Sequence, residues 1–72
     1  MKKKEFLDLI GSRVYFLRRS LKLSQEALAK KMNTQHTVIR RIEKGETNPT
    51  IGTLFEVAEA LGVDIRELIK ID

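Results

Sequence analysis

There is no cysteine in these 72 residues. That excludes a disulfide framework and any thiolate-held metal, and it agrees with a reducing cytoplasm. Apolar runs go no further than that of Val14–Leu17, far short of the roughly 20 residues that cross a bilayer as a helix. The basic start, Met1-Lys2-Lys3-Lys4, is followed by Glu5 and Asp8 rather than by an apolar stretch and a small-residue cleavage site, so no signal peptide is expected. Histidine occurs once, at His36, and there are no carboxylates paired at ligand spacing and no glycine-rich phosphate loop. No metal, no cofactor and no enzyme chemistry are expected from such a set. Alternating runs of strand type and internal repeats are missing too. The chain reads as one all-α domain over residues 1–72, small enough that association with a second copy is a plausible support.

What is present is charge, unevenly spread. Residues 1–48 carry a net +7 and residues 49–72 a net −3, together the +4 of the whole chain. A basic end suits a polyanion, and the acidic end does not. Charge alone leaves nucleic-acid binding about even with a solubilising surface.

Turn residues divide the chain into five segments with helical spacing. The first helix is expected over about 4–20, where Phe6, Leu7, Ile10, Val14, Leu17 and Leu21 form an apolar stripe. Gly11 within it costs roughly 1 kcal/mol against alanine, and close packing on a neighbour is the expected reason. The second helix, about 24–32, opens on Ser24 as N-cap, with Glu26 in its first turn, and buries Ala27, Leu28 and Met32. Asn33 ends it, a residue that tolerates the left-handed conformation. The third helix, about 35–44, stops at Gly45. After the loop of Pro49, Thr50 caps a fourth helix over 50–61 that buries Ile51, Leu54, Val57, Ala58 and Leu61 and ends at Gly62. A fifth is expected over 64–71, opening on Asp64-Ile65-Arg66-Glu67 in the manner of a capping box.

The second and third helices carry the function. A turn of about three residues between them forces a steep crossing, as in a helix-turn-helix. At 100° per residue, Ile39, Ile42 and Glu43 fall on one side of the third helix. Thr37, Arg40, Arg41 and Lys44 fall on the other, with His36 at its N-terminal flank. Cations suit phosphates or guanine edges, and Thr and His reach base edges or phosphates. An ordinary solvated helix would mix in acids, but none stands outward before Glu46. Gln25, in the first turn of the second helix, can bond a phosphate and brace the start of the third. Glu43 lies close to the apolar side, where an unpaired charge is expensive, and Arg18 is its natural partner. Tyr15 and Phe16 are read as packing residues rather than as a stacking platform.

Taken together, Arg18, Leu23-Ser24-Gln25, Leu28-Ala29, Ile39, Ile42-Glu43, Gly45, Asn48-Pro49, Leu54 and Ala60-Leu61-Gly62-Val63 resemble the phage-repressor and Cro-type helix-turn-helix family, also called lambda-repressor-like or xenobiotic-response-element regulators. The resemblance covers about residues 9–69. It implies a five-helix domain with the third helix in the major groove of duplex DNA. It places base contacts at His36, Thr37 and Arg41 with Arg40 close by, and Gln25 on a phosphate. Gln35, Lys44 and Asn48 are assigned to phosphate with it. Gln35 stands where the family usually has a Ser or Thr cap, and Asn33 replaces the usual turn glycine.

Such a chain is expected to act as a small transcription regulator, of the phage-repressor kind or as a controller of a restriction–modification system. The antitoxin of a toxin–antitoxin pair is the alternative, and a protein-interaction module without DNA binding is a third reading that Arg40, Arg41 and Lys44 speak against. One recognition helix covers few base pairs, so a two-fold dimer on a palindromic operator is expected. The acidic C-terminal part offers Phe55, Val63, Ile65, Leu68, Ile69 and Ile71, more than one core face needs. Phe55 and Ile69, then Ile65, are the candidates for that interface.

Overall fold

Eighteen residues, Lys3–Ser20, form the first helix, α1. A computed structural model describes residues 1–70 of the chain. Glu5 sits in the positive first turn of α1 and its carboxylate accepts from the Lys2 N–H at 3.3 Å, while Arg18 and Arg19 stand in the last turn. The helix stops because Lys22 takes a positive φ of 58°. The next helix, α2 (Gln25–Lys31), starts on the Ser24 hydroxyl, which accepts from the Ala27 N–H at 2.9 Å. Asn33, at φ 56°, turns the chain sharply after it. The third, α3 (His36–Glu43), begins at Gln35 without a side-chain cap bond and ends before Gly45 at φ 68°. The fourth, α4 (Ile51–Leu61), is capped by the Thr50 hydroxyl, which accepts from the Thr53 N–H at 3.1 Å, and stops at the left-handed Gly62. No strand occurs among the described residues.

Each of the four helices gives apolar side chains to one core. Ile10 and Val14 come from α1, Leu28 and Ala29 from α2, Ile39 and Ile42 from α3, and Leu54, Val57, Ala58 and Leu61 from α4. Leu68 closes the core from beyond α4. The tightest seam joins α1 to α3. A Cβ on Gly11 would run into the carbonyl oxygen of Ile42 and lie 2.6 Å from that of Glu43, so only glycine lets the two backbones approach this closely. At the other end of the same seam the Lys4 ammonium donates to the carbonyls of Lys44 at 3.3 Å and Gly45 at 3.0 Å, and to the Asp8 carboxylate at 2.9 Å. These carbonyls follow the C-terminus of α3, where backbone acceptors have no partner inside the helix.

Four sequence expectations are corrected. Of the fifth helix expected over 64–71, the described part, residues 64–70, holds no α-helix but a single 3₁₀ turn, Ile65–Glu67. The Asp64 carboxylate accepts from the Arg66 N–H at 2.9 Å, two residues on, which tightens the turn instead of opening a capping box. Among this segment's described residues Leu68 alone is fully buried, too little packing to offset helix nucleation over so few residues. Ile71 lies outside the described residues. Leu21 leaves the α1 stripe and is 50% exposed, because the helix has already ended when its turn on the stripe comes. Ile51 is 67% exposed. It shares the side of α4 that carries Phe55, while the buried stripe begins at Leu54. Tyr15 and Phe16, expected to pack, are exposed at 47% and 68%, since the face of α1 that meets the core is filled by Ile10, Val14 and Arg18.

Candidate nucleic-acid interface

The amphipathicity of α3 decides what it presents. Ile39 and Ile42 are buried, and His36, Arg40, Arg41 and Lys44 are exposed, with Thr37 half-buried beside them. The outward side thus offers hydroxyl and imidazole groups at its N-terminal half and three cations in its C-terminal half. No ion pair among the described residues engages Arg40, Arg41 or Lys44. Val38, passed over in the sequence, is 36% exposed on the flank of the same helix. Gln35 is exposed at the start of α3, Asn48 is exposed in the loop between α3 and α4, and Gln25 is half-buried at the start of α2. The structure therefore gathers Gln35, His36, Thr37, Arg40, Arg41 and Lys44 on one short helix and its caps, with Asn48 in the loop that follows.

Behind that helix lies a buried polar lock. Arg18 donates through Nε to Glu43 Oε2 at 2.6 Å and through Nη2 to Glu43 Oε1 at 2.9 Å, a two-pronged pair whose side chains are 6% and 4% exposed. Its third nitrogen, Nη1, donates to the Leu23 carbonyl at 2.8 Å. Hydrogen bonding to Glu43 holds the Arg18 guanidinium above its ordinary pKa against the opposing effect of burial, with the charge of Glu43 adding to it. Gln25 Nε2 donates to the same Glu43 Oε1 at 3.0 Å. The sequence had Gln25 bracing the start of α3, but it braces the last residue of that helix. The reason is the crossing geometry, which brings the first turn of α2 to the C-terminal end of α3. No buried side-chain nitrogen or oxygen among the described residues lacks a partner. Through Lys4, Gly11 and Arg18, α1 holds the C-terminal end of α3 and the turn after it, residues 42–45, so the cations of that end stand on a fixed support.

On α4 and beyond it, Phe55 is 55% exposed, and Ile65, Ile69 and Val63 are partly buried against the core. Phe55, Ala58, Val63 and Ile65 line a shallow groove of about 270 Å³ with Glu59 and Asp64 at its rim. Leu68, considered with them in the sequence, belongs to the core instead. Groups of His, Cys, Asp and Glu placed to hold a metal ion are not found among the described residues, and no helix there is long and apolar enough to cross a membrane.

Comparison with known proteins agrees with this arrangement. A helix-turn-helix family model matches residues 14–68. An uncharacterized HTH-type transcriptional regulator of Sinorhizobium fredii is 39% identical over 61 residues, 85% of this chain and 79% of that protein. The immunity repressor protein of Bacillus phage phi105 is 35% identical over 60 residues, 83% of this chain but 42% of the repressor. Among solved structures, the P22 c2 repressor protein in complex with a synthetic operator superimposes with a TM-score of 0.80 at 33% identity, covering 89% of this chain and 97% of that one.

Proposed function

The chain belongs to the helix-turn-helix family, and on that premise we propose that it is a DNA-binding transcription regulator of the repressor kind that holds a specific palindromic site as a homodimer. It is not an enzyme, as its relatives are regulators and repressors. The observation that carries the reading is the outward side of α3: three unpaired cations and two hydrogen-bonding side chains, with no acid among them, on a helix locked from behind. In this reading α3 enters the major groove, where His36, Thr37, Arg40 and Arg41 meet base edges. Gln25, Gln35, Lys44 and Asn48 take phosphates on either side. Gln25 does so while keeping its bond to Glu43, which leaves its second amide hydrogen for the DNA. Residues 1–72 act as one DNA-binding domain, at work in the cytoplasm where the DNA is.

Two copies meet through the acidic end, leaving the basic end for DNA. Phe55, Ile65 and Ile69 form the contact, and the exposed Ile51, one turn before Phe55, extends it. A dimer doubles the number of base pairs read and raises site selectivity accordingly. A footprint of the purified protein on the DNA upstream of its own gene tests the proposal. A protected stretch with two-fold symmetry, lost as salt is raised, is the expected result. Absence of protection at micromolar protein would overturn it.

A further inference from the structure

Four residues of the described chain have a positive φ: Gly45, Gly62, Asn33 and Lys22. Glycine is at home in that region, and asparagine is eased there by its short amide; Lys22 is crowded there by its Cβ and takes it at the stop of α1, where the turn lets the Leu23 N–H reach the Arg18 carbonyl at 3.1 Å. Lys22, at φ 58°, is exposed and has no side-chain hydrogen bond and no ion pair among the described residues. It lines a groove of about 530 Å³ between α1 and α2 together with Arg18, Arg19, Leu23, Ser24 and Gln25. No acid lines this groove. Arg18 is occupied by Glu43 and the Leu23 carbonyl, so the open charges are Lys22 and Arg19. Arg19 also has no ion pair among the described residues, and its guanidinium lies 5.7 Å from the centre of the Tyr15 ring, a flat surface that steadies it. Gln25 links the groove to Glu43, the last residue of α3. The cationic corner therefore adjoins the end of α3 that carries Lys44.

We propose that the α1–α2 corner, through Lys22 and Arg19, grips a sugar–phosphate strand of the same duplex whose bases face α3. This rests on the DNA-binding reading and widens its footprint beyond the residues of α3 and its flanks. Contacts of this kind carry no sequence information. They add affinity on every duplex alike and steepen its dependence on salt, since each phosphate neutralised releases condensed counterions.

Lys22→Gly separates this role from a structural one, because it relieves the left-handed strain while removing the charge. The variant is expected to melt no lower than the wild type, yet to bind DNA more weakly. Its plot of log K against log salt should be shallower by about 0.9 per protomer. Lys22→Gln keeps the strained backbone and should lose the same slope, Arg19→Gln should lose a similar amount, and Lys22→Arg should keep it. Lys70→Gln, in the acidic part of the chain, should leave the slope unchanged. Fluorescence anisotropy with a labelled duplex at several salt concentrations gives all of these. Unchanged slopes in the Lys22 and Arg19 variants, beside normal salt-dependent binding by the wild type, overturn the corner contact and leave the DNA reading intact. Equal loss of slope in Lys70→Gln overturns it as well, since the effect is then one of net charge. No binding by the wild type at any salt overturns the underlying reading itself.

Discussion

Replacing Glu43 by alanine tests the lock behind α3. In the structure its carboxylate accepts three hydrogen bonds, two from Arg18 and one from Gln25, in surroundings that leave both partners of the ion pair almost wholly out of water. Without it, the guanidinium retains only the Leu23 carbonyl. A buried charge stripped of its partner costs on the order of 3–5 kcal/mol. A domain of this length has roughly 4–11 kcal/mol in all, at about 0.05–0.15 kcal/mol per residue. Glu43→Ala should therefore remove about a quarter of the total or more, and lower the melting temperature by roughly 12–40 °C at about 4–8 °C per kcal/mol. Arg18→Met should cost a similar amount, because it leaves the carboxylate buried. The double variant Arg18→Met/Glu43→Leu replaces the pair with apolar groups and should recover most of the loss, which the single variants added together cannot do. Urea unfolding at 25 °C, followed by circular dichroism, gives the three free energies, and an unchanged m-value shows that the denatured state is not the source. Wild-type stability of Glu43→Ala, or losses that simply add in the double variant, would refute the reasoning.

Other variants probe the surface and the seam. Arg41→Ala and Thr37→Ala should lose discrimination at particular base pairs, by about 1–3 kcal/mol where a two-pronged contact is lost, whereas Gln25→Ala should weaken binding to all sequences alike; competition titrations with single-base operator variants tell the two patterns apart. Gly11→Ala drives a methyl group into the carbonyls of Ile42 and Glu43. With backbone on both sides it should cost at least the roughly 1–3 kcal/mol of ordinary overpacking, and a thermal melt equal to the wild type's would show that α1 can move away from α3 freely. Phe55→Lys with Ile69→Lys should leave a folded monomer whose affinity for a palindromic site falls sharply; sedimentation at micromolar concentration reads the mass, and an 8.3 kDa species for the unmutated chain, both free and on DNA, would remove the dimer.

The core and the lock were legible in the sequence because both follow from helical spacing. Ile39 and Ile42 mark the inward side of α3, and Glu43 sits next to them where only a paired charge can stay, so Arg18 on the facing helix was readable as its partner. Gly11 stood out as a glycine inside an otherwise regular stripe, and its tight approach to α3 accounts for it. Tyr15 and Phe16 lie within α1 but off its buried face, and the other expectations that failed fall at the ends of elements. Ile51 and Leu21 have the right spacing, but Ile51 faces away from the buried stripe of α4 and Leu21 comes after α1 has ended. The segment after Gly62 has the period of a helix, yet among its described residues only Leu68 is fully buried, Ile65 and Ile69 just flank the core, and the backbone settles for one 3₁₀ turn. The contact of Lys4 with the carbonyls of Lys44 and Gly45 joins residues forty positions apart, and no local pattern announces a cation that meets backbone acceptors. The left-handed Lys22 was hidden for a related reason: lysine carries no turn signal, so only the backbone shows where the chain bends.

Selection of binding sites from a pool of random DNA duplexes by the purified protein bears most directly on sequence-specific recognition by α3. The enriched duplexes should share a palindromic consensus whose half-sites lie about 10–10.5 base pairs apart, centre to centre, or a multiple of one helical turn. The same selection with Arg41→Ala should change the consensus at the same place in each half-site and nowhere else. A pool that stays random after repeated rounds, with every duplex held equally and released equally by salt, would contradict specific recognition and leave only the charge of the basic end.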